Sequence, residues 1–316
     1  MSDPREPMNA QVKQLFDLMR AARPAQRVLE AQAMRAETAA FSVLLNANAP
    51  AVEREEELRI PGPKGRPLRV RVFQPPGTGA KRPALVYLHG GGWMILSPET
   101  HAKLAKELCI AAGVVVVSVD YRLAPEHPYP DGLDDCVAAF RWVRENAARV
   151  GGDSRRIFLG GDSAGGNLTA ATTMRLLGSG EEPPTANLMI CPVTDLDLAL
   201  NSESARRFGP GDLVLDDAMM RFFCESYAPR ASWSNPFISP LRGDLSKFPP
   251  TCVVVGTIDM LHDDGVAFAQ RLLSAGREAT LLTYPSMPHD FMLFPGLDAG
   301  AKSVEEMAGF LRAHLE

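Results

Sequence analysis

Residues Arg156 to Asn167 read R-I-F-L-G-G-D-S-A-G-G-N, the stretch that most restricts the fold. Ile157-Phe158-Leu159 is an apolar strand, Gly161-Asp162-Ser163-Ala164-Gly165 a tight turn, and Leu168 to Leu177 a helix-forming run. A strand that turns this sharply into a helix strains its tip residue, Ser163, and lifts Oγ clear of the strand end. Glycines at −2 and +2 are needed because a Cβ there would strike the neighbouring strand or helix. The helix start aims free N–H groups and its positive dipole end at the same spot. G-x-S-x-G alone is a common pattern. The strand before it and the helix after it are what point to a nucleophilic serine.

Other apolar runs repeat the strand signal: Ala84 to Leu88, Val114 to Val119, Leu188 to Ile190, Cys252 to Val255 and Thr280 to Thr283. Continuous runs of this kind suit strands buried on both faces of a parallel sheet. Leu68 to Phe73 instead alternates apolar residues with arginine and reads as a half-exposed strand. Helical stretches lie between most of the runs: Glu99 to Ala112, Gly132 to Arg149, Asp263 to Ala275 and, last, Ala301 to Leu315. The alternation predicts a doubly wound α/β fold, with helices on both faces of a mostly parallel sheet.

Two segments break the alternation. In residues 1–50, Val12, Leu15, Phe16 and Met19 form one apolar stripe, and a second helical stretch covers about Gln26 to Phe41. The polar face mixes Lys13, Asp17 and Arg20, so the stripe reads as a packing face rather than a membrane-surface helix. Residues 195–249 have no strand signal and are rich in Met, Phe and Tyr. An insertion at the carboxyl end of a strand sits where α/β proteins bind ligands. The expected organisation is a helical cap segment at 1–50, a catalytic domain at 51–194 and 250–316, and a cap insertion at 195–249.

With 316 residues and a net charge of −5, the chain can bury a sizeable core and offers no basic stripe for nucleic acid. No apolar run approaches the roughly 20 residues needed to span a bilayer. Met1 to Glu6 lacks the apolar stretch of a secretory signal. The five cysteines are scattered without C-x-x-C spacing. They read as reduced core residues of a cytoplasmic protein. With no H-E-x-x-H or clustered Cys/His motif, neither a metal nor a cofactor is expected.

A nucleophilic serine needs a base, an orienting acid and an oxyanion hole. His89-Gly90-Gly91-Gly92 follows the strand at Ala84 to Leu88, and its uncovered N–H groups can act with that of Ala164 on an oxyanion. Six histidines are present, and His289 is the one on a loop after the last strand. His262 and His314 sit at helix ends, and His89 reads as orienting the glycine loop. Asp259, just after Cys252 to Val255, is the expected acid. Asp263 and Asp264 are rivals that open the next helix, where carboxylates usually cap backbone amides. The chain order Ser163, Asp259, His289 is that of an α/β-hydrolase.

Five motifs together resemble the bacterial hormone-sensitive-lipase-like carboxylesterases of the α/β-hydrolase fold. They are H-G-G-G-W at His89 to Trp93, D-Y-R-L-A-P-E-H-P-Y-P at Asp120 to Pro130, G-D-S-A-G-G-N-L at Gly161 to Leu168, C-P-V-T-D at Cys191 to Asp195, and H-D-F at His289 to Phe291. The resemblance implies a Ser163–His289–Asp259 triad, oxyanion donors Gly91, Gly92 and Ala164, and a cap over the acyl pocket. The sequence departs from the family pattern twice. Asp259-Met260-Leu261 stands where the family commonly has D-P-L, and Asp290 stands where glycine commonly follows the base.

The expected activity is hydrolysis of short- to medium-chain carboxylic esters through an acyl-enzyme. Amide, lactone or formamide cleavage on the same machinery, a non-catalytic receptor and an interfacial lipase are the alternatives. Phe208, Leu213, Met220 and Phe223 are candidates for the acyl pocket. Thr280 to Thr283, as an edge strand, offers a surface for a homodimer.

Overall fold

The structure, a computed structural model, describes residues 9–22, 29–77, 81–211 and 214–315. Its strands are β1 (Arg54–Pro61), β2 (Pro67–Gln74), β3 (Arg82–Leu88), β4 (Val115–Val119), β5 (Gly152–Asp162), β6 (Asn187–Ile190), β7 (Thr251–Gly256) and β8 (Ala279–Tyr284). The helices are α1 (Ala10–Ala22), α2 (Ala31–Leu45), α3 (Ala102–Ala112), α4 (Asp131–Asn146), α5 (Ala164–Gly178), α6 (Leu198–Asn201), α7 (Glu203–Phe208), α8 (Asp217–Tyr227), α9 (His262–Ser274) and α10 (Asp298–Ala313).

All the strands join one sheet in the order β1-β2-β4-β3-β5-β6-β7-β8. β2 is antiparallel to both its neighbours, and pairing from β4 to β8 is parallel. This is the expected α/β-hydrolase architecture. β3 to β7 are buried nearly throughout, which is why their sequences show no alternation. Helix α3 packs with α10, and α4 packs with α5, covering the sheet. β8 is the far edge, with Leu281 exposed. No helix among the described residues is long and apolar enough to cross a membrane.

β1 was not anticipated from the sequence. Its R-E-E-E-L-R-I-P run is mostly charged because it is the other edge strand and is exposed along most of its length. Cross-strand ion pairs hold it: Arg69 of β2 meets Glu57 at 3.2 Å, and Arg71 meets Glu55. Boundaries also moved. β5 runs back to Gly152, and α5 begins at Ala164, directly after the serine.

Residues 195–249 hold helices and no strand among the described residues; the chain leaves at the carboxyl end of β6, returns beside that point at Leu241, and then runs on to the amino end of β7. Leu241 N–H donates to the Thr194 carbonyl at 2.9 Å. Asn167 Nδ2 donates to the carbonyls of Val193 (3.0 Å) and Ile238 (2.9 Å), so one side chain holds both ends. Asp264 Oδ1, fully buried, accepts the amides of Thr194 (2.6 Å) and Asp195 (2.9 Å) and the Thr194 hydroxyl (2.9 Å). Burial pushes its pKa up to about 7 against the pull of these donors. Asp263 Oδ2 accepts the Ser204 amide at 2.8 Å. The two rivals of Asp259 therefore fasten the insertion to α9.

At the amino end, α2 is clamped to the body by Arg35. Its guanidinium donates to the carbonyls of Met94 (2.8 Å) and Ala124 (2.8 Å) and to both carboxylate oxygens of Glu126 (2.8 and 2.7 Å). Val12 and Phe16 of the α1 stripe are buried, so that face packs inward.

Asp264→Ala will leave the Thr194 and Asp195 amides buried without an acceptor. Stability should fall by about 1–3 kcal/mol, read as a lower denaturant midpoint, whereas Asp263→Ala, at a half-buried position, should cost less.

Candidate active site

The carboxyl ends of β3, β5, β7 and β8 bring the predicted residues together. The β5–α5 turn places Ser163 at φ 52°, ψ −116°, a left-handed conformation uncommon for residues other than glycine. The Ser163 amide donates to the Ile190 carbonyl at 2.7 Å, tying the turn to the end of β6. A Cβ on Gly165 would lie 1.9 Å from the Leu88 carbonyl oxygen, and one on Gly161 would lie 2.2 Å from it.

Asp259 and His289 stand on the loops after β7 and β8, and those loops are stitched together. Thr257 N–H donates to the Tyr284 carbonyl (3.1 Å) and Ile258 N–H to the Met287 carbonyl (3.1 Å). Ser286 N–H donates to the Thr257 hydroxyl (2.8 Å). His289 Nδ1 lies 2.8 Å from Asp259 Oδ2, and Nε2 lies 3.0 Å from Ser163 Oγ. All three side chains are buried, and Asp259 Oδ1 accepts the Leu261 amide at 2.9 Å. Methionine in place of the family's proline at 260 leaves that geometry intact.

Asp290 follows in the left-handed conformation, φ 49°, at a position where the family resemblance has glycine. Its Oδ2 lies 3.2 Å from His289 Nε2, and its Oδ1 is buried without a hydrogen-bond partner. Burial alone would lower the pKa of His289, but the carboxylates of Asp259 and Asp290 outweigh it and hold it well above the ordinary histidine value. Burial pushes the Asp290 carboxyl up, and the nearby Asp162 and Asp259 add to that push.

The His89–Gly92 loop lies beside the serine. Gly91 has φ +105°, and a Cβ there would sit 2.1 Å from the Ile95 carbonyl, so only glycine lets the loop close. The amides of Gly91 and Gly92 donate to no backbone carbonyl among the described residues. His89 Nδ1 lies 2.7 Å from the Gly90 carbonyl, and its ring stacks on Tyr121 at 4.3 Å. Burial, then the nearby His101, push its pKa down to about 4, so the ring is neutral near pH 7.

Sequence reasoning missed a buried charge cluster behind the turn. Asp162 accepts from Tyr87 Oη (2.6 Å) and pairs with His101 Nε2 (3.0 Å). Burial opposes ionisation of both groups, yet the pairing lowers the pKa of Asp162 and raises that of His101. The acid in G-D-S-A-G-G was the available signal, because a carboxylate next to a buried nucleophile needs a buried donor.

A cavity of about 510 Å³ opens over Ser163 and His289. Leu15, Met19 and Phe41 of the amino-terminal helices form one wall, and Leu215, Met219 and Phe223 another. Of the cap candidates, Phe223 is on the wall and its ring packs on Gly92. Phe208 and Met220 are buried in the core and are not on the wall; Leu213 lies outside the described residues. Trp93 stacks on Tyr227 of α8 at 4.3 Å, docking the insertion on the glycine loop.

Donor atoms of Cys191, Asp259 and His289 lie within 4.8 Å of one another. Burial pushes the Cys191 thiol up to about 12, so a thiolate ligand is disfavoured, and Asp259 and His289 are engaged with each other.

Comparison with known proteins places the chain among relatives. The profile of the alpha/beta hydrolase fold family matches residues 85–293. Carboxylesterase NlhH of Mycobacterium tuberculosis is 40% identical over 230 residues, 71% of each chain. Ethyl acetate hydrolase of Pseudomonas putida is 35% identical over 295 residues, covering 90% of this chain and 92% of that protein. A hyperthermophilic esterase from the archaeon Pyrobaculum calidifontis superposes with a TM-score of 0.91 at 33% identity, covering 97% of this chain and 98% of that one. An alpha/beta hydrolase enzyme from the metagenome of Lake Arreo, Spain, also gives 0.91, at 35% identity and 97% and 98% coverage.

Phe223→Ala removes a ring that seals the glycine loop. It should cost about 3 kcal/mol, the low end for a buried phenylalanine because the space opens into an existing cavity; chemical denaturation measures it.

Proposed function

The chain belongs to the α/β-hydrolase fold family, in its hormone-sensitive-lipase-like branch, and is a carboxylic ester hydrolase; from that premise we propose that it cleaves short- to medium-chain esters through Ser163, His289 and Asp259. The observation that supports this most is the unbroken hydrogen-bonded line from Asp259 through His289 to Ser163.

His289 Nε2 takes the Oγ proton as Ser163 attacks the ester carbonyl. The carbonyl π electrons move onto oxygen, and the amides of Gly91, Gly92 and Ala164 hold that oxyanion. Asp259 keeps the Nδ1 proton facing it and stabilises the imidazolium. Collapse of the intermediate expels the alkoxide, which receives the proton from Nε2. Water, deprotonated by the same nitrogen, then releases the acid from the acyl-serine. The loss of one oxyanion donor costs about 2.7–4 kcal/mol in barrier.

Lined mostly by apolar side chains, the cavity suits an aliphatic acyl group of short or medium length. A receptor would have no need of a serine, histidine and carboxylate in hydrogen-bond register. The cysteines, all buried and unpaired, fit a reducing, cytoplasmic location.

Purified protein should hydrolyse p-nitrophenyl esters with a maximum at short or medium chains. Ser163→Ala should abolish turnover while keeping the fold. Asp259→Asn should cut kcat by roughly 10⁴, because the wrong tautomer then faces Ser163. More than a few per cent of activity in Ser163→Ala would sink the assignment.

A further inference from the structure

We propose that Asp290 is a positioning residue that shares one proton with His289 in the free enzyme and so sets the pH at which Ser163 can be activated. The inference rests on the reading of Ser163 and His289 given above.

The argument begins with valence. Nδ1–H of His289 donates to Asp259 Oδ2 at 2.8 Å. Nε2 then has a single in-plane position, filled by a lone pair or by a proton. Ser163 Oγ lies 3.0 Å from Nε2 in a hydrogen bond, and Asp290 Oδ2 lies 3.2 Å from it as an ion-pair contact. A carboxylate facing an unprotonated Nε2 would set lone pair against lone pair. The contact is attractive when Nε2 carries a proton, as an imidazolium–carboxylate pair. In that form Nε2 is unable to accept from Ser163.

Asp290 borders the cavity, but only one of its oxygens faces it. Its side chain is buried, and Oδ1 has no hydrogen-bond partner, so ionisation without the His289 proton would leave an uncompensated buried charge. The charged and titratable groups around the pair come from every adjoining strand end. They are Asp259 after β7, Cys191 after β6, Asp162 at the end of β5, Tyr87 in β3, and His101 at the start of α3. His101 and Asp162 neutralise each other at 3.0 Å, and the Cys191 and Tyr87 groups, both shifted up, stay protonated at neutral pH. Asp259 remains as an uncompensated negative charge, and it favours retention of the shared proton.

The proton must leave to bulk water before Oγ can be deprotonated. Protonation of Nε2 and of Asp290 is favoured in the folded site, so the active form accumulates only as pH rises. The acid limb of kcat/KM, which reports the free enzyme, should lie above the ordinary histidine value of about 6.5.

The test is the kcat/KM pH profile of the native protein, Asp290→Asn and Asp290→Gly. Both replacements tolerate the left-handed backbone at 290. Each should move the acid limb down by roughly 1–3 units, the scale of one close charge, with the high-pH plateau largely kept. An acid limb that stays in place in both variants overturns the proposal. A second reading avoids turnover: the ¹⁵N chemical shift of His289 is titrated in Ser163→Ala, with and without Asp290→Asn. A fall in the His289 pKa on adding Asp290→Asn supports the shared proton; an unchanged pKa rejects it. Failure of the serine assignment would appear separately, as turnover by Ser163→Ala.

Discussion

The site depends on one backbone contact, the approach of the Leu88 carbonyl at the end of β3 to the turn around Ser163. A side chain at 161 or 165 would put Cβ within 2.2 or 1.9 Å of that oxygen. The two strands are in register there, Leu88 opposite Gly161. The chain that leaves Leu88 is the glycine loop, so the contact that fixes the nucleophile also fixes the amides proposed to face its oxyanion. Rigid elements thus set the relative position of attacking and stabilising groups, which is where preorganisation lowers a barrier most.

Much of this was legible in the residues because each requirement leaves a local mark. Buried parallel strands read as unbroken apolar runs, and a turn with no room for side chains reads as paired glycines. Asp259 and His289 were found from their place after successive strands. Other features leave no local mark. β1 pairs with β2 along its length, and the arginines of β2 meet its acids, which composition does not reveal. The cavity wall mixes residues from two segments some 200 positions apart, such as Met19 and Met219. Phe208 and Phe223 look alike in sequence, and packing alone sends one to the core and the other to the cavity. His101 looked featureless until the fold set it against Asp162.

Two buried charge clusters flank the serine. His101, Asp162 and Tyr87 lie behind the turn and are mutually satisfied. His289, Asp259 and Asp290 lie in front and hold one more carboxyl than the imidazole can neutralise. The first cluster is a fixed part of the scaffold. The second can change its proton content. That asymmetry follows from hydrogen bonding, since Asp162 has a donor on each oxygen and Asp290 has an unpartnered Oδ1.

The fastening of the insertion at residues 195–249 has an evolutionary consequence. Its part from 195 to 241 is closed where Leu241 meets Thr194, and Asn167 and Asp264, which belong to the sheet's own helices, hold that closure. A segment whose ends are already closed pays little for added or deleted residues, because closure entropy grows only with the logarithm of length. The insertion is in this sense a replaceable cassette. Its interior can be lengthened or trimmed away from Phe223 and Tyr227, whose rings pack on the glycine loop, while the anchoring residues keep their contacts.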